Sequence, residues 1–408
     1  MGVMEITRGW DFALLDDPPP DVVEELRRRY PVERETDRQL VRKLGRRGSG
    51  PYVPVSLEEL SDAVARMLAD TVDGPSSITN ARWFTGGASK VQMGFDLAWR
   101  DAGGPRRDRL MVRMDPAESH NATSKLREFE LLRELHGRMP VPEAFWVDDD
   151  ALWFPYPALV YSLIDGIAKP REGVGGKVVG LGTNFGPGLR ERLAPQYVEH
   201  LARIHTLDLH DAELPSFDVP EVGTTQSALW ELNRARRLWE EDRGVDVPLM
   251  EVAGNWLERT LPVLDHVGLV HGDYRSGNFL YDEETARFTG WLDWERAHLG
   301  DRHRDLAWST QPVCGHYAED GRTYLVCGLV PLDEFYDNYS KLSGLTVDPE
   351  RLRWYRVLNA YSMVASTVGS AWRVARLGKT HQDILLARVE GMRGVVLEEL
   401  RTLLEEVL

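Results

Sequence analysis

The sequence predicts an α+β protein of two lobes, with a small antiparallel-sheet N-lobe ahead of a larger, mainly helical C-lobe. Three observations predict it. Short β-rich runs separated by Gly-rich or charged turns fill residues 76–165. Beyond residue 190 the apolar residues recur at helical spacing. The chain also has 408 residues, more than one hydrophobic core of roughly 250–300 residues organises. The expected boundaries are a helical N-terminal extension over 1–75, the N-lobe over 76–165 and the C-lobe over 166–408.

In chain order, helices are expected at Asp21–Tyr30 and Ser56–Thr71, the second opening on a Ser56-Leu57-Glu58-Glu59 capping box. Strands follow at Ile78–Phe84, Val91–Trp99 and Leu110–Met114, where β-branched and aromatic residues alternate with polar ones. Ser124–His136 carries Leu126, Phe129, Leu132 and Leu135 at helical spacing, and strands are read at Ala144–Val147 and Ala151–Ile164. A Gly-, Pro- and Lys/Arg-containing loop runs from Asp165 to about Arg190. Helices then cover Ala194–Thr206, Ser227–Glu241, Leu249–Leu261 and the region from Pro349 onward. The last of these shows a core stripe of Leu385, Val389, Met392, Val396, Leu400, Leu403 and Val407.

Composition excludes several classes. A formal charge of −16 argues against a nucleic-acid binder, and no apolar run approaches the ~18 residues of a membrane span. The opening Met1–Asp21 is acidic and contains Pro18-Pro19-Pro20, which predicts a cytosolic chain without a leader. Two cysteines, Cys314 and Cys327, are too few for a disulfide framework and are expected to be buried thiols.

The chemistry concentrates in His271-Gly272-Asp273-Tyr274-Arg275-Ser276-Gly277-Asn278, followed by a strand, an acidic turn over Asp282–Thr285, a second strand and Asp293. Such a hairpin returns Asp293 beside Asn278. One carboxylate and one amide oxygen suit Mg²⁺, which takes hard oxygen ligands and keeps phosphate and water in its remaining positions. Asn278 and Asp293 are therefore the candidate metal ligands, and Asp273 is free to face an incoming hydroxyl. The spacing matches H-R-D-x-x-x-x-N with a following metal-binding Asp, with Gly272 in place of Arg and no D-F-G.

On these residues, and on Leu292-Asp293-Trp294-Glu295-Arg296-Ala297-His298-Leu299-Gly300-Asp301 and Asp305-Leu306-Ala307-Trp308, the chain resembles the aminoglycoside phosphotransferase and choline kinase-like family. It looks most like the branch associated with acyl-CoA dehydrogenases. The resemblance covers about residues 76–400 and implies a protein-kinase-like fold, ATP, Mg²⁺ and transfer of the γ-phosphoryl group to the hydroxyl of a small molecule. It further implies that Thr85-Gly86-Gly87-Ala88-Ser89 is the phosphate-covering loop, with Gly86, Gly87 and Ser89 meeting nucleotide. Arg113 falls where kinases place a phosphate-binding Lys, and Glu128, rather than Glu130, matches the carboxylate that pairs with it. Leu159–Asp165, including Val160 and Ser162, corresponds to the adenine hinge. Arg275 lies where kinases keep a cation near the transferred phosphate, and Asp305 resembles the buried brace of the catalytic loop.

Gly173-Val174-Gly175-Gly176-Lys177 fails the P-loop spacing because Val178 follows the Lys. Lys169, Arg171, Lys177, Arg190 and Arg192 offer cations for a phosphorylated substrate such as coenzyme A, or form a solvated basic loop. Asp301 and His303 read as exposed loop residues. The branch suggests a hydroxyacyl-CoA or similar metabolite as acceptor. The alternatives are an aminoglycoside, or a catalytically silent nucleotide-binding module. No nucleic-acid or membrane partner is expected.

Overall fold

Three helices lead into a five-stranded antiparallel sheet, and a helical body follows, in a computed structural model that describes residues 12–84, 90–101, 103–171 and 181–408. The helices are α1 (Pro20–Arg29), α2 (Arg34–Gly45) and α3 (Leu57–Thr71). In α3 the Ser56 hydroxyl accepts from the Glu59 N–H, and the Glu59 carboxylate accepts from the Ser56 N–H, which satisfies two otherwise orphaned helix-end donors. The sheet comprises β1 (Ser77–Trp83), β2 (Val91–Asp101), β3 (Gly104–Met114), β4 (Ala144–Asp148) and β5 (Ala158–Ser162), in the order β1-β2-β3-β5-β4. Helix α4 (Lys125–Leu135) connects β3 to β4.

The sheet has two buried faces, and strand periodicity sorts its residues between them. Met93, Phe95, Leu97, Leu110, Val112, Met114 and Val160 pack with Leu60, Val64, Met67 and Leu68 of α3. Met111, Leu159 and Tyr161 point the other way, into a core shared with α4 and the helical body. Arg113, one residue from Val112 and Met114, therefore emerges on the cleft side. The reading of Ala151–Ile164 as one strand is corrected: Asp148 accepts from the N–H groups of Leu152, Trp153 and Phe154, so a turn occupies the first half and only Ala158–Ser162 is extended.

The helical body contains α5 (Gly186–His205), α6 (Gln226–Asp242), α7 (Pro248–Arg259), the strands β6 (Gly268–Val270), β7 (Phe279–Asp282), β8 (Arg287–Trp291) and β9 (His298–Gly300), and α8 (His303–Ser309). Later come α9 (Leu332–Ser343) and α10 (Pro349–Val364), which runs into a π-helical turn over Ala365–Ala371, then α11 (Trp372–Arg376), α12 (Asp383–Glu390) and α13 (Arg393–Glu405). The expected C-terminal stripe divides at Gly391. Val396, Leu400 and Leu403 are core residues, whereas Met392 is exposed and Leu386, not Leu385, is the buried residue of α12. Cys314 and Cys327 are buried free thiols. No helix among the described residues is long and apolar enough to cross a membrane.

Helix α2 is absent from the sequence reading because its buried face is largely polar: Glu35, Gln39 and Lys43 lie inward beside Leu40 and Leu44. Charge pairing replaces an apolar stripe. Lys43 meets Glu241 at 2.9 Å and Asp242 at 3.0 Å, and Arg47, just past the helix, joins Glu118 beyond β3 to Asp242 at the end of α6. Burial raises the Asp242 pKa, and Lys43 and Arg47 outweigh that and hold it low. The stabilisation is thus present above the unfolded carboxyl value of 3.8 and is lost as the pH falls further. Replacing Asp242 by Ala leaves both cations under-compensated inside the protein. A loss of about 3–5 kcal/mol is expected in urea unfolding at neutral pH.

Candidate active site

The catalytic-loop candidate lies between β6 and β7 and is pinned from below. Asp305, on α8, accepts from the N–H groups of His271 at 2.7 Å and Gly272 at 2.8 Å, while His205 Nε2 lies 3.2 Å from the same carboxylate. Burial raises the Asp305 pKa, but His205 and the loop donors more than offset it and keep the group ionised. His271 orients the loop as expected: the Asp273 N–H donates to its Nδ1, and its Nε2 faces the Leu292 carbonyl at 3.1 Å, which assigns the proton to Nε2.

Gly272 explains the departure from the H-R-D pattern. Its φ is +80°, and a Cβ there would stand 2.7 Å from the Arg296 carbonyl oxygen, so any side chain would push the loop off the segment that follows Asp293. Gly272→Ala is expected to cost about 1–3 kcal/mol and to lower the melting temperature, as thermal denaturation would report.

Asp273 is held at three points. Trp308 Nε1 donates to Oδ1 at 2.7 Å, Arg275 Nε donates to the same oxygen at 2.9 Å, and Asn278 Nδ2 donates to Oδ2 at 2.7 Å. Asn278 gives its other N–H to the Asp273 carbonyl, so its amide oxygen faces away and accepts no hydrogen bond among the described residues. The hairpin of β7 and β8 forms with Phe279 opposite Trp291. One step beyond, the Leu292 N–H donates to the Asn278 carbonyl at 2.8 Å, and Asp293 follows in the left-handed conformation with φ +66°.

Across the cleft, Arg113 meets Glu128 at 2.6 Å, Glu295 at 2.9 Å and Asp293 at still closer range. Burial raises the Asp293 pKa, and Arg113 overrides this despite the opposing charge of Asp273, leaving it lowered. One Asp293 oxygen is taken by Arg113, and the other accepts no hydrogen bond among the described residues. That free oxygen and the Asn278 amide oxygen are both hard donors, a set that fits Mg²⁺ with water and phosphate completing its shell. Glu130 faces elsewhere and accepts from Ser216.

Several expectations are corrected or fall elsewhere. Val160, expected to offer its backbone to adenine, is a mid-strand residue paired with Val112 on one side and Trp146 on the other, and the strand period turns its side chain to the α3 face. Ser162, at the strand end, is tied to Glu143 by a backbone bond and through its hydroxyl. Asp301 and His303 are buried rather than exposed: Asp301 accepts from the His303 backbone, the His303 ring lies against the same oxygen, and the Asp348 N–H donates to the other ring nitrogen. Thr85–Ser89, with Gly86, Gly87 and Ser89, and the Gly173–Lys177 segment lie outside the described residues. Of the loop cations, Arg190 pairs with Glu319 and Arg171 faces Glu283.

The sequence reading missed Lys90, Glu295 and the role of Trp308. Lys90 is buried and reaches Asp115 at 2.8 Å, Thr123 at 2.8 Å and Glu295 at 3.4 Å. Its one signal was a Lys directly preceding the alternating run of β2. Glu295, two residues after Asp293, gathers both Lys90 and Arg113. Trp308 stood in a motif with no chemistry assigned to it.

Known proteins share this arrangement of sequence to different extents. Acyl-CoA dehydrogenase family member 11 of Gallus gallus is 26% identical over 181 residues, 42% of this chain and 23% of its own length. Family member 10 of Mus musculus is 26% identical over 229 residues, 54% of this chain and 20% of its own. The chain thus spans less than a quarter of these two relatives. Aminoglycoside 3'-phosphotransferase of Streptomyces fradiae is 27% identical over 277 residues, covering 64% of this chain and 88% of its own. Among solved structures, a Ralstonia eutropha protein described as an aminoglycoside phosphotransferase superposes with a TM-score of 0.57 at 18% identity, over 84% of this chain and 98% of its own, which shows a common fold. The model of the phosphotransferase enzyme family matches residues 92–355. That span is more than half of the chain and holds the candidate catalytic loop, the hairpin and both walls of the cleft, so the chain belongs to the phosphotransferase enzyme family.

Proposed function

We propose that this phosphotransferase moves the γ-phosphoryl group of ATP, with Mg²⁺, to the hydroxyl of a small molecule. One observation carries the reading: Asp273, Asn278 and Asp293 converge on one side of a cleft whose other side presents Arg113 paired with Glu128. Asp273 orients the acceptor hydroxyl, whose oxygen forms the new P–O bond as the bridging bond to ADP breaks, and takes the proton late. Little activation of the nucleophile is needed in a loose transition state, so positioning and charge neutralisation dominate. Arg275 is fixed to Asp273 and presents positive charge beside the attacking group. Arg113 holds phosphate oxygens while Glu128 keeps its guanidinium in place, and the peptide groups following Ser162 face the base. Mg²⁺, held by Asn278 and Asp293, would neutralise charge on the phosphates.

The acceptor suggested by the acyl-CoA dehydrogenase relatives is a hydroxyacyl-CoA or a similar hydroxylated metabolite. The test is a thermal-shift titration with ATP and Mg²⁺, followed by an ATP-consumption screen over hydroxylated metabolites and aminoglycosides. Stabilisation by ATP that requires Mg²⁺, and turnover with one acceptor class, are expected. A nucleotide response without turnover of any acceptor supports the silent module instead, and no response to nucleotide removes the reading.

A further inference from the structure

The Trp308 indole, whose N–H holds Asp273, has two guanidinium groups over its ring, Arg296 at 5.6 Å and Arg304 at 5.8 Å from the centroid. Both line a cavity of about 30 Å³, together with Arg234 and Glu231 of α6, Ser362 of α10 and Asn121 from the segment before α4. Three cations thus face one carboxylate. That carboxylate is already engaged, since Glu231 meets Arg304 at 3.1 Å and His298 at 2.9 Å.

The remaining positive charge is only partly balanced, Glu231 and Glu33 acting on Arg234 without a hydrogen bond to it. Arg304 Nη1 and Arg296 Nε are buried without a hydrogen-bond partner, and the side chains of Arg234 and Arg296 make no hydrogen bond or ion pair among the described residues. Nearby carboxylates are committed elsewhere, Glu33 to Arg127 and Asp305 to the catalytic loop. Burial, and then Arg296, pull the Arg234 pKa down to about 10, and burial also lowers that of Arg304. Arg304 is buried and Arg234 and Arg296 are half-buried, and guanidinium donors left open away from bulk water are costly unless an anion satisfies them. A cavity of this size holds about two waters, and two carboxylate oxygens take the same room.

We propose that this cavity is the anion subsite of the acceptor, so that the substrate is a hydroxylated molecule bearing a carboxylate or phosphate group gripped by Arg234, Arg296 and Arg304. Guanidinium forks match both anions in two-point geometry. The indole between two of the arginines and Asp273 couples the grip to the place where the hydroxyl must arrive. A polycationic aminoglycoside would meet like charge here. The assignment rests on the phosphoryl-transfer reading above and extends it to substrate class.

The experiment is calorimetry on the full chain loaded with a non-hydrolysable ATP analogue and Mg²⁺. It is titrated with 4-hydroxybutyrate, with glycerol 3-phosphate, with neutral 1,4-butanediol and with the aminoglycoside neamine. Wild type is expected to bind at least one of the two anions, and which of them binds separates carboxylate from phosphate. Arg234→Ala and Arg234→Glu are expected to weaken that binding at least tenfold, with Arg234→Lys between them and wild type, while analogue binding stays unchanged. Arg234 lies on α6 and touches none of the groups assigned to nucleotide, so failure of the analogue itself to bind would count against the phosphoryl-transfer reading. Absence of binding by both anions to the loaded protein, indifference to Arg234→Ala, or neamine binding to wild type as tightly as either anion would overturn the anion subsite.

Discussion

Asp273→Asn is expected to lower turnover by about 10²–10⁴-fold, the range for losing a positioned proton acceptor, while affinity for the ATP analogue changes little. The amide keeps the size of the carboxylate and leaves the Arg113–Glu128 pair untouched. It cannot accept the proton of the acceptor hydroxyl, and it loses the charge that holds Arg275 at 2.9 Å. Steady-state kinetics with the best acceptor and calorimetry with the analogue would check both halves. Turnover at the wild-type level would remove Asp273 from the mechanism.

The second large effect is expected at Asp293. Asp293→Ala removes a hard oxygen facing the proposed metal position and also frees Arg113 from one of its three carboxylates. Nucleotide affinity in the presence of Mg²⁺ should fall by about 10²-fold, consistent with the several kcal/mol that a metal supplies. The dependence of the remaining affinity on Mg²⁺ concentration should flatten. Glu128 and Glu295 still hold Arg113, so the cleft wall should persist and the unfolding midpoint should move less than in Asp242→Ala. An unchanged Mg²⁺ dependence in calorimetry would refute the ligand assignment.

The hairpin, the catalytic loop and the alternation of β2 and β3 were legible because each has a local rule: a fixed register across a short turn, a fixed spacing, a period of two. Val160 shows the limit of that legibility. The hinge segment is recognisable by position, yet only the strand's phase against β3 decides which of its residues faces nucleotide. Helix α2 was invisible because periodicity counts apolar residues, and its inward residues Glu35, Gln39 and Lys43 are polar. Lys90, Arg234, Arg296 and Arg304 were equally silent, since a buried cation is meaningful only through partners distant in sequence. The burial of His303 follows the same logic, its partner Asp348 lying on the far side of α9.

Arg47 reaches a carboxylate beyond the sheet and another at the end of α6 with a single side chain, from a region that precedes the residues matched to the family. Breathing of the cleft therefore requires stretching this clasp or turning about it as a pivot. Residues that precede the family-matched span thereby restrain any parting of the sheet from the end of α6.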